Sequence, residues 1–268
     1  MIVLKIGGDI FQKGLNPTLL NDIKKVLEYE KIVIVHGGGD EVTKIAEKLG
    51  KKQVFISSPE GIRSRYTDEE TVEIYTMVMA GKINKTIVRW LLNQNIPAVG
   101  LSGIDSALLK ANRKKRLIII DERDRKRIID GGFTGKITQV NSTIIEVLVN
   151  NGYVPVVAPI ALGEENEFLN VDADRAASQI AGAIKADKII FLTDVQGVLL
   201  ENEHIKKILM HEIKRILPKI GPGMDKKIIA SAEALELGVK EALIVSGFVE
   251  QPLINALNHK NGTVVTIE

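Results

Sequence analysis

The 268-residue sequence contains no cysteine. This absence excludes disulfides, zinc thiolate sites and thiol nucleophiles, and it fits a reducing compartment. No apolar run approaches the roughly 20 residues that a membrane helix needs. Met1 leads directly into an apolar segment without a preceding basic stretch, so no signal peptide is expected. Together these absences predict a soluble cytoplasmic protein that does not bind a membrane.

The chain also lacks a strong excess of charge and the common nucleotide fingerprints. Its net charge of +2 does not favour nucleic-acid binding by the molecule as a whole. A P-loop around Gly135 and Lys136 would need a glycine where Asp130 stands and Ser or Thr where Ile137 stands. No strand carries G-x-G-x-x-G, and the four histidines lie in unrelated contexts. We therefore expect no P-loop, no dinucleotide site and no metal cage.

Two apolar segments each end abruptly in glycines. Ile32 to Val35 lead into His-Gly-Gly-Gly, and Ile2 to Ile6 lead into Gly7 and Gly8. Unbroken apolar runs of this length are typical of strands buried on both faces. Glycines let backbone amides approach an anion closely, and a helix opening at Asp40 would add its positive end. A tight turn without a ligand is the alternative, but such a turn needs only one glycine.

The order of elements predicts parallel strands. Asn16 and Pro17 mark a helix start between the first two strands, as cap and first helical residue. A strand, helix, strand unit places its strands in parallel, so both glycine loops are expected at one edge of one sheet, where α/β proteins bind ligands. The same patterns predict helices over about 67–80, 83–92, 141–150, 173 onward and 224–236, and strands over 96–100, 117–120, 153–158, 188–193, 239–246 and 263–267.

A segment without periodicity carries two arginines. From Lys51 to Tyr66 the pattern predicts a loop, followed by a helix with a capping box formed by Thr67 and Glu70. Arg63 and Arg65 lie at the end of this loop. Arginine suits bidentate binding of a carboxylate, although either residue can equally be an ordinary surface arginine.

The stretch from residue 110 to 127 is strongly basic, with nine Lys or Arg against three Asp or Glu. One interpretation is a solvated β-hairpin whose charged edges prevent aggregation. The other is a docking surface for an acidic partner, protein or nucleic acid. Its lack of aromatic residues disfavours stacking on single-stranded bases. The candidate docking residues are Lys110, Arg113, Lys114, Lys115, Arg116, Arg123, Arg125, Lys126 and Arg127.

Polar residues cluster in the second half at predicted helix starts. Asn170 and Asp174 lie four residues apart, so both can face one cavity, although Asp174 can also be a simple cap. The segment Gly-Pro-Gly-Met-Asp-Lys-Lys brings Lys226 and Lys227 to a helix start, where the dipole disfavours them. Their placement suggests an anion nearby. Glycine amides, lysines and one aspartate suit phosphoryl transfer, which needs alignment and charge stabilisation more than covalent help.

Four motifs in this order resemble the amino acid kinase family over nearly the whole chain: KIGG, HGGG, NVDAD with TDVQGV, and GMDKK. The acylglutamate kinase branch is the most similar. The resemblance implies a three-layer αβα sandwich around a mainly parallel sheet of about eight strands, the carbamate kinase-like fold. It also implies an N-terminal lobe, residues 1–163, for acceptor binding and dimerisation, and a C-terminal lobe, residues 164–268, for ATP. A homodimer using ATP and Mg²⁺ is expected.

The resemblance also implies roles for individual residues. Lys5 and Lys227 would stabilise the transferring phosphoryl group, with Asp174 orienting both; Lys226 is an adjacent alternative that the spacing disfavours. The acceptor-binding residues would be Gly38, Gly39, Asn170 and one or both of Arg63 and Arg65. The residues at the nucleotide would be Gly7, Gly8, Thr193, Asp194, Gly197, Gly223 and Met224, with Mg²⁺ held mainly by the phosphates.

One difference from the family's usual motif narrows the assignment within the acylglutamate kinase branch. Acetylglutamate kinases typically show Gly-x-Arg-x-Thr-Asp, whereas this chain reads GIRSRYTD. Counting back from the Thr-Asp pair assigns the acceptor's α-carboxylate to Arg65, whereas counting forward from Gly61 assigns it to Arg63. Arg65 is favoured. The SRYTD form is similar to kinases of lysine or arginine synthesis whose α-aminoadipate or glutamate is carried on an acidic LysW-type protein. The basic stretch would then attract that carrier. The alternatives are an N-acetyl-L-glutamate kinase, and a non-catalytic nucleotide-sensing or nucleic-acid-binding member of the fold.

Overall fold

The computed structural model describes residues 1–12, 17–59, 61–201 and 203–268. Asn16, the predicted helix cap, lies outside these residues, and the helix itself begins at Pro17 as expected. The α-helices are α1 (Gly8–Gln12), α2 (Pro17–Val26), α3 (Gly39–Lys48), α4 (Glu69–Thr76), α5 (Asn84–Leu92), α6 (Thr143–Asn150), α7 (Ala173–Ala183), α8 (Ile213–Ile216), α9 (Met224–Glu236) and α10 (Pro252–Leu257). A π-helix spans Met77–Ile83, and short 3-10 helices span Asp105–Ala107, Met210–Glu212 and Leu217–Lys219.

The strands divide between one large sheet and smaller ones. The strands are β1 (Ile2–Ile6), β2 (Ile32–His36), β3 (Val54–Ser57), β4 (Arg63–Tyr66), β5 (Ala98–Ser102), β6 (Leu109–Arg113), β7 (Arg116–Ile120), β8 (Lys126–Asp130), β9 (Gly135–Val140), β10 (Val154–Ala158), β11 (Ile160–Leu162), β12 (Phe168–Asn170), β13 (Lys188–Thr193), β14 (Val198–Leu200), β15 (Glu203–Ile205), β16 (Lys207–Leu209), β17 (Glu241–Ser246) and β18 (Thr263–Thr266).

The large sheet has eight strands in the order β16-β18-β17-β13-β1-β2-β10-β5. Every neighbouring pair is parallel except β17 with β18, which is antiparallel. Its central strands β1, β2 and β10 are buried along their whole length, as expected for largely apolar strands covered on both faces. The mainly parallel sheet of about eight strands is therefore confirmed.

Helices cover both faces of this sheet. Alternate residues along β1 point to opposite sides, so Val3 joins a core formed with α6, α7 and α9, whereas Leu4 joins a core formed with α2, α3, α4, α5 and α10. The predicted three-layer αβα sandwich is confirmed. The same alternation directs Lys5 toward the layer that contains α7, which determines the position of the candidate active site.

The segment predicted as a loop between Lys51 and Tyr66 is instead a β-hairpin of β3 and β4. This prediction was wrong because these strands are largely exposed, and their pairing is set by neighbouring strands rather than by an apolar pattern. The hairpin belongs to a four-stranded sheet in the order β4-β3-β7-β8. A second small sheet has the order β12-β11-β6-β9, so the predicted lobe boundary around Pro159 to Glu167 contains a strand rather than only loop.

The helix after the hairpin is longer and more irregular than predicted. Its cap is Asp68, whose carboxylate accepts a hydrogen bond from the amide of Thr71 at 2.8 Å, whereas Thr67 is buried and does not form the predicted capping box. The two predicted helices are joined without a break through the π-helix from Met77 to Ile83. This irregular turn lies against the second glycine loop, a placement common for π-helices at functional sites.

Two other helix starts also differ slightly from expectation. The helix after β2 starts at Gly39 rather than Asp40, with Gly38 at the cap position. Ser142 rather than Asn141 occupies the cap of α6, although the Asn141 side chain still accepts a hydrogen bond from the amide of Thr143 at 3.3 Å. These shifts of one residue leave the helices on the predicted sides of the sheet.

Asp22 links the beginning of the chain to its end. Its buried carboxylate accepts hydrogen bonds from the amides of Leu253 at 2.5 Å and Ile254 at 3.2 Å, and so caps α10 from the neighbouring helix α2. Burial raises the pKa of Asp22, and these two hydrogen bonds partly oppose the rise.

Replacing Asp22 with alanine is expected to lower the free energy of unfolding by about 1 to 2 kcal/mol, because two amides at a helix start lose their acceptor. Asp22→Asn keeps an acceptor oxygen and is expected to lose less. Urea denaturation followed by circular dichroism measures both variants. Equal stability of Asp22→Ala and the unaltered protein would contradict this capping role.

Candidate active site

The strands of the large sheet end in loops that meet at one edge. The amide of Gly37 donates to the carbonyl of Ile6 at 2.9 Å, and the amide of Gly247 donates to the carbonyl of Thr193 at 2.9 Å. A Cβ built on Gly8 would lie only 3.2 Å from the Cα of Gly38. The two glycine loops are therefore in direct contact at the edge where the parallel strands end, as their sequences predict.

An ion-paired cluster lies beside these loops. Lys5 of β1 and Asp174 in the first turn of α7 are both about 6% exposed, and the Lys5 Nζ lies 2.7 Å from Asp174 Oδ1. The Nζ of Lys227, from the first turn of α9, lies 3.7 Å from the other oxygen, Asp174 Oδ2. Three residues that are far apart in sequence thus form one cluster with Asp174 between two ammonium groups.

Each charged group in this cluster stabilises the charged form of its oppositely charged neighbour. Burial alone would raise the pKa of Asp174, but the charges of Lys5 and Lys227 outweigh this effect and hold the pKa of Asp174 below its ordinary value of 3.8. Its contribution to stability is therefore present above that value and is lost as the pH falls through the lowered pKa. Burial lowers the pKa of Lys227, and the charge of Asp174 opposes that shift.

The second glycine loop is shaped by the π-helix packed against it. Gly38 has a φ of +150°, which disfavours any residue with a side chain. A Cβ on Gly38 would overlap the Cδ1 of Ile83 and lie 3.3 Å from the Sδ of Met79. The loop is thus held close to the helix, and only glycine fits at this contact.

The two candidate arginines, Arg63 and Arg65, differ in burial and in their contacts. Arg65 is half-buried and donates from Nη2 to the carbonyl of Gly39 at 2.6 Å and to Oγ1 of Thr43 at 2.8 Å, while its Nη1 donates to the side chain of Gln53. These contacts use three of the five guanidinium N–H groups, including both on Nη2. Burial lowers the pKa of Arg65. Arg63 is exposed, which favours Arg65 as the carboxylate-binding residue.

Lys226 and Lys227 have different partners. The Lys226 Nζ donates to the backbone carbonyl of Arg63 at 2.8 Å, whereas Lys227 points to Asp174. The spacing argument that favoured Lys227 for the cluster agrees with this geometry. The contact of Lys226 with the β3–β4 hairpin has no signal in the sequence.

Some backbone amides of the glycine loops already donate hydrogen bonds within the protein. The amide of Gly7 donates to the carbonyl of Leu192 at 3.2 Å, and the amide of Gly223 donates to Oδ1 of Asp225 at 2.7 Å. Gly7 and Gly223 stay predicted residues at the nucleotide, and their amides are hydrogen-bonded within the protein. Of the two lysines at the start of α9, Lys227 has an anionic partner within the protein, Asp174.

The remaining predicted residues lie at three places. Asn170 ends β12 next to the candidate acceptor side, and its Nδ2 donates to Oγ1 of the buried Thr67 at 3.0 Å. Thr193 ends β13 and donates to the exposed Asp194 at 3.1 Å. Gly197 is buried, and a side chain there would overlap His204. Met224 is the first residue of α9.

The basic stretch is divided among three elements. Lys110 and Arg113 lie on β6, and Lys114 and Lys115 connect it to β7, which starts at Arg116. Arg123 and Arg125 lie in the turn between β7 and β8, and Lys126 and Arg127 lie on β8. The predicted hairpin is confirmed, and most of these side chains are exposed, although Arg113 and Lys114 are half-buried.

His36 was not predicted to contribute to the site, yet it is fully buried directly before the second glycine loop. Its Nδ1 lies 3.0 Å from the carbonyl of Gly37, and its Nε2 lies 3.4 Å from Nδ2 of Asn84. Burial lowers the pKa of His36 to about 4, so the ring is neutral near pH 7. Its place between a strand and a glycine was visible in the sequence, but its partner Asn84 was not.

The described residues contain neither a candidate metal cage nor a candidate membrane-spanning helix. No group of three or more His, Cys, Asp or Glu side chains in the described part of the chain could hold a metal ion. Within the same residues, no helix is both long enough and apolar enough to cross a membrane.

Comparisons with known proteins cover the whole chain. A profile described as the amino acid kinase family matches residues 1–246. A Saccharolobus solfataricus protein described as a LysW-aminoadipate/LysW-glutamate kinase is 47% identical over 266 residues, which cover 99% of each chain. A Nitrosopumilus maritimus (strain SCM1) protein is 53% identical over 268 residues, 100% of each chain, and its description names the same activity provisionally.

Solved structures show the same architecture. The structure of smu.665 from Streptococcus mutans UA159 aligns with a TM-score of 0.81 and 26% identity, covering 100% of this chain and 98% of that one. Carbamate kinase from Giardia lamblia bound to AMP-PNP aligns with a TM-score of 0.65 and 16% identity, covering 99% and 98%. The second likeness shows the fold alone.

Proposed function

Because the chain belongs to the amino acid kinase family, we propose that it transfers a phosphoryl group from ATP to a carboxylate borne by an acidic amino-group carrier protein. The acceptor is the side-chain carboxylate of α-aminoadipate, of glutamate or of both, and the product is an acyl phosphate for lysine or arginine synthesis. The observation that carries the kinase assignment is the Lys5–Asp174–Lys227 cluster beside the paired glycine loops.

The reaction needs little covalent help from the protein. An oxygen of the acceptor carboxylate attacks the terminal phosphorus of ATP, the bond from that phosphorus to the bridging oxygen breaks, and ADP leaves with the electron pair. A carboxylate is already ionised near neutral pH, so no general base is required. Lys5 and Lys227 stabilise the negative charge on the transferred group, and Asp174 holds both ammonium groups in place.

The two halves of the chain supply different parts of the proposed site. Residues 1–163 supply most of the acceptor side, with Arg65 on the α-carboxylate and Gly38 and Gly39 beside it, and Asn170 from the other half completes this side. Residues 164–268 bind ATP near Thr193, Asp194 and the start of α9, and Gly8 completes the phosphate side. Mg²⁺, when bound, would neutralise phosphate charge and be held mainly by the nucleotide.

The carrier is supported by the position of the basic hairpin. Strands β7 and β8 belong to the same four-stranded sheet as β4, which holds Arg65 at the second glycine loop. A carrier that docks on the hairpin would therefore be held next to the acceptor side of the site. Free acetylglutamate, the substrate in the alternative assignment, has no need for this surface.

Trapping the acyl phosphate with hydroxylamine tests the proposal. We expect hydroxamate with ATP and the carrier protein bearing glutamate or α-aminoadipate, and little hydroxamate with free N-acetyl-L-glutamate. Robust turnover of free acetylglutamate without stimulation by the carrier would contradict the carrier-bound acceptor and favour an N-acetyl-L-glutamate kinase. Nucleotide binding without any phosphoryl transfer would favour the non-catalytic alternative.

Substitutions at the two arginines test the acceptor side. Arg65→Lys is expected to raise the KM for the acceptor by about 10- to 100-fold, because lysine cannot keep the three hydrogen bonds that fix the Arg65 guanidinium in place. Arg63→Lys is the matched control, because its exposed side chain lies on the same strand, and we expect less than a threefold change. Steady-state kinetics with loaded carrier measures both. A larger effect at Arg63 would reverse the assignment.

The proposed oligomer is a homodimer in the cytoplasm, where ATP is available. Strand β5 lies at one edge of the large sheet. In the adjoining helices, Met77 of the π-helix is 59% exposed and Leu92 of α5 is 51% exposed. These apolar side chains support self-association through this part of residues 1–163. Light scattering after size-exclusion chromatography measures the mass, and a monomer at micromolar concentration would contradict a dimer.

A further inference from the structure

An exposed apolar stripe crosses the four-stranded sheet from the acceptor side to the end of the basic hairpin. Directly paired residues of antiparallel strands share a face, and Phe55 pairs with Arg65, Ser57 with Ile120, and Ile118 with Ile128. Phe55, Ile118, Ile120 and Ile128 therefore lie on the face that carries Arg65. We call these four residues the apolar stripe.

The stripe is unusually open to solvent for apolar side chains. Ile128 is 67% exposed, Ile118 is 53% exposed and Phe55 is 40% exposed. Strand β8 is also an edge strand, where exposed β-branched residues favour unwanted pairing. A hairpin that only needed protection from aggregation would place charged residues at these positions. The isoleucines therefore indicate a surface that another molecule covers.

Positive charge borders the stripe on the same face. Arg116 precedes Ile118 by two residues, and Lys126 pairs directly with Ile120. No ion pair engages Arg116 or Lys126 among the residues that the structure describes. By contrast, Arg125 and Arg127 both bind Asp121, at 3.0 and 3.1 Å. Lys126 therefore brings a charge without an ion-pair partner in the described residues beside the apolar stripe, whereas Arg116 faces Asp130 directly across the strand pair.

The stripe is also connected to the substrate-binding side. The guanidinium groups of Arg63 and Arg65 stack on the Phe55 ring, at 4.5 and 5.0 Å from its centroid. A molecule on Ile118 and Ile128 would therefore contact a continuous surface that ends at the arginine proposed for the acceptor.

We propose that the apolar stripe is the docking surface for the folded part of the acidic carrier protein, with apolar contacts at Ile118 and Ile128 and acidic groups on Arg116 and Lys126. This inference rests on the proposed function, because the occupant is the carrier that bears the acceptor. Charge attracts the partner over a distance, whereas the isoleucines supply the desolvated contact that retains it. A single acidic partner accounts for both features of this face.

The double variant Ile118→Thr, Ile128→Thr tests the apolar contact, because threonine keeps β-branching but removes apolar surface. The KM for loaded carrier is expected to rise about ten- to thirtyfold, with kcat and the KM for ATP unchanged. Val147→Thr removes similar surface from α6, where Val147 is 52% exposed, and should leave all three constants unchanged. An unchanged KM for carrier in the double variant would overturn the proposal.

A second pair of variants tests the charges. Arg116→Gln with Lys126→Gln should raise the KM for carrier and weaken its dependence on salt, whereas Arg125→Gln should have a smaller effect, because Arg125 is already paired with Asp121. The same aminoacyl group on a short peptide without the folded carrier should be phosphorylated equally by all variants. Loss of peptide turnover in the stripe variants would show a damaged site and overturn the docking role.

The outcomes distinguish this inference from the proposed function. If the unaltered enzyme does not phosphorylate loaded carrier, the proposed function fails. If it does so and the stripe variants behave identically to it, only the docking surface fails. If the stripe variants change the mass of the enzyme in solution but not the KM for carrier, the stripe joins two copies of this chain and the proposal is overturned.

Discussion

Replacing Lys5 with methionine is expected to lower kcat by about 10²- to 10³-fold, with a smaller change in the KM for either substrate. Lys5 is buried, and its Nζ lies 2.7 Å from Asp174 beside the contact between the glycine loops. A positive charge at this position acts mainly when negative charge develops on the transferred group. Single-turnover measurement of acyl phosphate separates this loss from slow product release.

Controls separate catalysis from folding. Lys5→Met leaves the buried Asp174 with only the more distant Lys227, so stability should also fall. Adding Asp174→Asn removes the unbalanced carboxylate and is expected to recover part of the stability but none of the activity. Lys188→Met removes another strand lysine that has an acidic partner, Glu241, and should leave kcat unchanged. A Lys5→Met enzyme with normal kcat would refute the catalytic assignment.

Gly38→Ala is expected to lower kcat/KM for the acceptor by about 10²-fold or more. The φ of +150° is unfavourable for alanine, and the new Cβ would overlap Cδ1 of Ile83. The loop would have to move away from the π-helix, which shifts the amides proposed to face the acceptor. The KM for ATP should change less, because most of the residues proposed for the nucleotide come from the other half of the chain.

Two controls identify the source of the effect. Gly50 also has a positive φ, +82°, but a Cβ there meets nothing within 4 Å, so Gly50→Ala should cost stability without changing kinetics. Combining Gly38→Ala with Ile83→Ala removes the overlap and should restore part of kcat/KM, although the backbone strain remains. Identical kinetics for Gly38→Ala and the unaltered enzyme would show that this loop does not position the acceptor.

The central sheet was predictable because burial on both faces leaves a simple signal. Strands β1 and β13 have the predicted bounds, since each is a largely apolar run that ends in a loop. The helix starting at Ala173 was also predicted from its run of small residues, although its cap is Asp172 rather than Asp174, the residue considered for that role. The residues that meet at the end of parallel strands follow from that topology, and this includes Lys5 and Asp174.

The parts that could not be predicted depend on contacts distant in sequence. The β3–β4 hairpin has no alternating pattern, because its strands are largely exposed and its stability comes from pairing within the four-stranded sheet. The three side-chain and backbone partners of Arg65 lie 12 to 26 residues away in the sequence. The spacing of the motif therefore could not show that Arg65 and Arg63 have different contacts. The π-helix, whose Ile83 packs against Gly38, likewise was not predicted from the local sequence.

The hydrogen bond from Lys226 to the carbonyl of Arg63 joins the start of α9 to the hairpin that holds Arg65. It therefore links the segment proposed for the nucleotide with the segment proposed for the acceptor. Binding of one substrate that orders its own segment would reduce the cost of ordering the other. Such coupling is reciprocal, so ATP should raise affinity for the acceptor by the same factor by which the acceptor raises affinity for ATP.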